Sequence, residues 1–227
     1  MLITIPEVLT AQQITQCRKI IDAGPWKDGR ITAGTQAEQV KNNLQLPEDC
    51  AEALEARQMV VQALNQHGLF FTAALPKKVF PPLFNRYEGG SNSFGNHIDN
   101  AVRTSISSGA WVRTDLSATL FLSAPDSYDG GELIVEDRFG SQSIKLAAGD
   151  MILYPSSSVH RVEAVTRGAR VACFFWVESM VRDDAQRSIL FDLDTAILSL
   201  RQQHGESADT IRLTGCYHNL LRLWADV

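Results

Sequence analysis

The sequence predicts a mainly β chain with flanking helices (α+β), its strands paired antiparallel in a sandwich or jelly roll. Three observations predict it. Between Val79 and Glu178, short apolar runs are separated by Gly, Asp, Ser and Pro, which is the texture of strands and turns. The runs follow one another without room for a helix between them, so neighbouring strands are expected to pair antiparallel. On either side of this stretch, apolar residues recur at helical spacing instead. The chain therefore divides into an N-terminal helical region packed on the barrel over residues 1–75, a strand-rich core over 76–178 and a helical extension over 179–227.

Each element has its own signal. Thr10 and Gln13 form a capping-box pair ahead of Ile14, Cys17, Ile20 and Ile21, which predicts a helix from Thr10 to Gly24, stopped by Gly24-Pro25. A second helix is expected from Pro47 to His67, with Pro47 in its first turn, Ala51, Leu54, Met59, Val60 and Leu64 as its stripe, and Gly68 as its cap. The expected strands are Val79 to Tyr87, Ser117 to Leu122, Gly131 to Glu136, Ser143 to Leu146, Asp150 to Tyr154, Val159 to Val165 and Ala169 to Glu178. Helices return over Arg182 to Gln203 and Ala208 to Ala225. The stripe of Ile189, Leu193, Ile197 and Leu200 suits either a cap on the barrel or a surface for homo-oligomer formation.

Composition narrows the function. The 227 residues, 44% apolar and 21% charged, fit one well-folded globular core with an appendage. A net charge of -5 offers no electrostatic footprint for nucleic acid. No stretch is apolar for long enough to span a bilayer, and MLITIPEVLT lacks the basic start and cleavage site of a secretory signal. The expected address is the cytoplasm. Cys17, Cys50, Cys173 and Cys216 are too scattered for a metal clip and read as reduced thiols.

The chemistry lies in four residues. His97 and Asp99 stand two apart, so on an extended chain both side chains project to the same side. His160, at the start of another expected strand, supplies a third ligand. Two histidines and a carboxylate on one face of an octahedral metal leave the opposite positions open for a chelating acid and O2. A His-x-Asp pair alone proves little; Arg170 adds weight. If Thr166-Arg167-Gly168 is a turn and Val165 pairs with Ala169, His160 and Arg170 share a face with their backbones roughly 13 Å apart. A small diacid fills that gap between metal and guanidinium. Arg170 also sits in the apolar run Ala169 to Trp176, and a buried arginine needs an anion. A zinc hydrolase uses the same ligand types but leaves Arg170 unexplained. A non-catalytic metal- or oxoacid-sensing jelly roll is the other alternative.

Several motifs in order are more specific than any of these alone. Asn85-Arg86-Tyr87, His97-Ile98-Asp99-Asn100, Asp129-Gly130-Gly131-Glu132-Leu133, Gly149-Asp150, Tyr154-Pro155-Ser156, His160 and Arg170 resemble the PKHD-type hydroxylases, bacterial relatives of the prolyl and lysyl procollagen hydroxylases. The motifs cover roughly Pro76 to Glu178, and the helical tail resembles that family's C-terminal extension. The resemblance implies a double-stranded β-helix (jelly roll, cupin-like) and an Fe(II)- and 2-oxoglutarate-dependent dioxygenase that releases succinate and CO2. It implies iron on His97, Asp99 and His160, the 2-oxoglutarate C5 carboxylate on Arg170, and help from the Tyr87 hydroxyl. Ascorbate as a reductant and a link to bacterial iron uptake are implied by the family only. The substrate is open: an amino-acid side chain, a peptide or a siderophore-related molecule. Gly130-Gly131 and Gly149-Asp150 read as turn-makers, and Arg103 to Thr114, with Trp111 and Arg113, as a lid or an ordinary polar loop.

Overall fold

The strand Arg170–Ser179 organises the molecule, because every residue in it except Phe174 is buried. A strand buried on both faces needs a layer above and a layer below. The computed structural model, which describes residues 1–32, 38–105, 109–137 and 140–227, provides both. Val171, Cys173, Phe175 and Val177 join one apolar cluster with Cys17, Ile21, Ala53, Ala56, Val60 and Leu64 from two helices. Arg170, Phe174 and Trp176, alternate residues on the same strand, line an internal cavity on the other side.

Two antiparallel sheets enclose that cavity. Among the described residues, the larger has eight strands, and Arg170–Ser179 lies between Leu116–Phe121 and Leu83–Tyr87, with Met151–Pro155 beyond. The smaller has five, in the order Gly140–Ile144, Leu133–Asp137, His160–Val162, Ser93–His97 and Lys41–Asn42. Tyr87, Phe121, Ile152 and Tyr154 of the first pack against Leu133, Val135 and Val162 of the second. This is the expected jelly-roll arrangement.

The first helix runs Ala11–Asp22, with the reciprocal Thr10 and Gln13 cap in place. The second differs from expectation: it starts at Ala51 behind Cys50, outside which Pro47 lies, and Gly68 does not end it. Instead His67 accepts a hydrogen bond from the Phe70 amide and opens a further helix, Gly68–Ala74. The expected strand Val79 to Tyr87 is split into Pro76–Val79 and Leu83–Tyr87. Pro81 and Pro82 fall in the gap, where they cannot donate to a ladder.

The expected hairpin after His160 does not form. Val165 pairs with Gly130, and Arg170 pairs with Tyr87, so the two stretches belong to different sheets. The strands Lys41–Asn42 and Ser93–His97 were not foreseen. Arg103 to Thr114 contains a small hairpin, Val102–Thr104 against Trp111–Arg113, and residues 106–108 of that run lie outside the described residues.

The tail forms helices Asp184–His204 and Ala208–Trp224. Leu190, Ile197 and Tyr217 bury themselves with Leu75 and Val181, and Leu193 packs on them. The expected stripe is thereby divided: Leu193 and Ile197 face inward, while Ile189 and Leu200 stay exposed. None of the described helices is long and apolar enough to cross a membrane.

Candidate active site

His97 ends the strand Ser93–His97, His160 begins His160–Val162, and the two are directly opposed across the pairing. Their rings lie 4.1 Å apart, and Asp99, two residues past His97, completes the group. One ligand atom from each of the three can be chosen so that all lie within 4.8 Å of one another. Among the described residues this is the one such cluster of histidine, cysteine and acid side chains.

The surroundings fix how these ligands present themselves. The Nδ1 atom of His97 lies 2.8 Å from the Gly95 carbonyl and that of His160 lies 3.0 Å from the Ser158 carbonyl. A carbonyl only accepts, so both Nδ1 atoms carry a proton, and the Nε2 atoms are the ones left to face a metal. Burial, and then the neighbouring His160, push the His97 pKa down to about 4, so its imidazole is neutral at physiological pH. The Ser117 hydroxyl donates to Asp99 Oδ2 at 2.6 Å, and Ser117 and Ser156 share a further bond of 2.7 Å. Phe94 stacks on His97 at 3.6 Å between ring centres. Two imidazoles and a carboxylate held this way fit Fe(II), with room left for other ligands.

Arg170 lines the same cavity from the opposite sheet and is 1% exposed. Its guanidinium lies 5.3 Å from the Tyr87 ring centre and 5.1 Å from that of Phe121. Its Nε is buried without a hydrogen-bond partner, and no carboxylate among the described residues pairs with it. Desolvating a guanidinium without an anion costs several kcal/mol, roughly. Tyr87 pairs with Arg170 across the strands and is itself buried. Burial raises its pKa, with Arg170 opposing, and the phenol keeps its proton to donate.

The match to known proteins is as specific as the geometry. A family model described as the 2OG-Fe(II) oxygenase superfamily matches residues 82–178, and one described as the PKHD-type hydroxylase C-terminal domain matches 184–226. A PKHD-type hydroxylase of Polaromonas sp. is 57% identical over 226 residues, covering 100% of both chains. Another, from Xanthomonas axonopodis pv. citri, is 58% identical over 229 residues with the same coverage. The chain belongs to the PKHD-type hydroxylases.

This PKHD-type hydroxylase is therefore an Fe(II)- and 2-oxoglutarate-dependent dioxygenase, an oxidoreductase that also takes O2 and a substrate. Solved structures extend the fold further. A Pseudomonas putida prolyl-4-hydroxylase matches with a TM-score of 0.52 at 18% identity, over 78% of this chain and 92% of that one. A Trichoplax adhaerens prolyl hydroxylase, in complex with a hypoxia inducible factor peptide fragment, gives 0.58 at 14% identity over 83% and 86%. At such identities only the shared jelly roll is carried over. The cavity also holds residues that sequence reasoning did not single out for the site: Lys41, Asn43, Ser117 and Trp176. Nothing in the spacing of Lys41 places it beside His97 in sequence, whereas Arg103 opens the run that reads as a lid or an ordinary polar loop.

Proposed function

We propose that His97, Asp99 and His160 hold the Fe(II) of this hydroxylase, that Arg170 grips the C5 carboxylate of 2-oxoglutarate, and that the Tyr87 hydroxyl assists it. The observation that carries this reading is a buried, partnerless guanidinium sharing one cavity with three convergent metal-ligand side chains. Bound there, Fe(II) and 2-oxoglutarate would supply the oxidative chemistry that yields succinate and CO2 and places one oxygen atom on the substrate.

The chain's own part is positional. The carbonyls of Gly95 and Ser158 fix both imidazoles in the tautomer that presents Nε2, and Ser117 orients the Asp99 carboxylate. Arg170 sets the far end of the cosubstrate, with two parallel hydrogen bonds available to a carboxylate. Phe94, Leu133, Val162 and Phe174 supply the apolar part of the wall beside the triad. A zinc hydrolase would need a general base beside the ligands. Asp99 is the one carboxylate lining the cavity among the described residues, and it belongs to the ligand set.

The substrate class we propose is an amino-acid side chain, a peptide or a siderophore-related molecule, with ascorbate as reductant, a cytoplasmic location and a role in iron uptake. Ile189, Leu198, Ile211 and Leu223 remain exposed on the tail helices and support self-association there. The test is succinate release by the purified chain with Fe(II), 2-oxoglutarate and candidate substrates, together with a mass gain of one oxygen, about 16 Da. Succinate should form only with Fe(II) and 2-oxoglutarate together. Hydrolysis with Zn(II) and no succinate would overturn the reading, and metal and cosubstrate binding without any succinate would favour a sensor.

A further inference from the structure

Arg170 lines the cavity, yet its Nε is buried and has no hydrogen-bond partner among the described residues. An arginine nitrogen only donates, so what this one lacks is an acceptor. A second buried group nearby is also unpaired: the hydroxyl of Tyr128, a residue 1% exposed. A phenol oxygen accepts as well as donates, so each of the two groups can serve the other.

Gly131 shows how closely they approach. A Cβ there would stand 3.1 Å from Arg170 Cδ, the carbon bonded to Nε, and 3.0 Å from Tyr128 Cε2, the ring carbon beside the one that bears the hydroxyl. Both side chains border the spot that glycine leaves open. Tyr128 also belongs to the apolar cluster of Tyr87 and Phe121, the two rings whose centres lie 5.3 Å and 5.1 Å from the guanidinium. Burial raises the Tyr128 pKa, with Arg170 the largest opposing influence, so the phenol is uncharged beside it.

The rest of Tyr128 is tightly held. Gly168 has φ +72°, and a Cβ there would come within 2.2 Å of the Ser127 carbonyl oxygen and 3.1 Å of Tyr128 Cα. Arg167 Nε donates to Asp129 Oδ2 at 2.7 Å, which ties the next residue to the same strand end. Lys145 Nζ donates to the Tyr128 carbonyl at 2.9 Å and lies 4.1 Å from the ring centre. A hydroxyl buried unpaired on so fixed a residue lowers the stability of the ligand-free chain, and such a local conflict is characteristic of functional positions.

We infer that Tyr128 is a positioning residue for Arg170: when the C5 carboxylate of 2-oxoglutarate engages the outer guanidinium nitrogens, the Nε–H turns to the Tyr128 hydroxyl oxygen. The guanidinium plane is then fixed from behind while its fork holds the carboxylate. This rests on the assignment of Arg170 to the cosubstrate proposed above. Cosubstrate binding thereby relieves two unpaired buried groups at once, and the stability given up in the ligand-free chain returns as affinity.

The test compares the full parent chain with Tyr128→Phe, both loaded with Fe(II) without oxygen and titrated with 2-oxoglutarate while the charge-transfer absorption of the chelate is followed. Tyr128→Phe should bind 2-oxoglutarate about tenfold more weakly, the effect of one hydrogen bond to a charged group, with Fe(II) affinity unchanged. Without 2-oxoglutarate it should unfold at higher urea than the parent, since it no longer buries an unpaired hydroxyl. A residue that only fills space would not combine weaker binding with greater stability. In an Arg170→Lys background the same substitution should change 2-oxoglutarate affinity little, because a lysine stem carries no such N–H. Equal 2-oxoglutarate affinity in parent and Tyr128→Phe, a lower urea midpoint for Tyr128→Phe, or the full tenfold loss in the Arg170→Lys background would overturn the proposal. A parent chain that takes up Fe(II) and binds no 2-oxoglutarate would instead remove the cosubstrate reading, and this role of Tyr128 with it.

Discussion

Single atoms decide whether the triad can serve as a metal site. Backbone carbonyls hold both Nδ1 protons, so the Nε2 atoms of His97 and His160 are the ones available to a metal. Asp99 is steered by Ser117, one layer further out. Replacing such an outer partner typically costs about 10- to 100-fold in metal affinity. Ser117→Ala should therefore weaken Fe(II) binding by about that factor, whereas Asp99→Ala should abolish tight binding. Fe(II) titration against a competing chelator separates the two outcomes, and parental affinity in Ser117→Ala would show that Asp99 needs no such support.

Lys41 gives a pH-dependent prediction at the same scale. Burial, and then Arg103, lower its pKa from 10.5 to about 8. Between those values the unfolded chain holds a proton that the folded chain has released, so stability falls as pH drops from 10.5 towards 8. A Lys41→Met chain lacks this term. The parent should gain stability relative to Lys41→Met as pH rises through that window, read by urea unfolding of both chains at each pH. A pH-independent gap would mean that Lys41 is not desolvated.

At the scale of elements, glycines set the approach of strands to Arg170. Gly131 has φ +71°, and a Cβ there would come within 2.8 Å of Val165 Cγ2 and 3.1 Å of Arg170 Cδ. Gly131→Ala is both strained and in contact with the guanidinium stem. It should lower 2-oxoglutarate affinity while Fe(II) affinity stays near that of the parent, because the triad is on other strands. Titrating each ligand separately checks this; equal losses of both would mean a general unfolding of the site. The first helix offers a simpler case: Thr10→Ala removes the capping bond to Gln13 and should cost about 1 kcal/mol in urea unfolding.

The elements also show what a sequence can and cannot disclose. His97 and Asp99 were legible because their spacing of two is a local property of extended chain. Arg170 was legible because its apolar neighbours betray burial. Its meeting with His160 was expected along a hairpin and instead occurs across the two sheets. Pairing partners are set by closure of the whole sandwich, which no local pattern encodes. Lys41 lies on a strand of two residues, too short for any periodicity, and Gly68 reads as a stop until His67 turns out to start another helix.

The whole molecule brings the two halves of the site together. His97 and His160 belong to the smaller sheet, with Asp99 just beyond it, and Arg170 belongs to the larger one, so a cosubstrate held by both would span the sandwich. The tail closes one end by burying Leu190, Ile197 and Tyr217 against Leu75 and Val181. Its outward apolar residues should pair copies of the chain at high micromolar concentration, and a monomer mass by sedimentation there would contradict this. The central claim is that one anion bridges the two sheets, and 2-oxoglutarate titration of the Fe(II) protein without oxygen, following the charge-transfer absorption, tests it most directly. Losing a desolvated charge partner costs roughly 2–5 kcal/mol, or about thirtyfold or more in affinity. Arg170→Ala should bind Fe(II) as the parent does and lose 2-oxoglutarate by at least that factor, with Arg170→Lys restoring part of it. An Arg170→Ala chain that titrates like the parent would contradict the account.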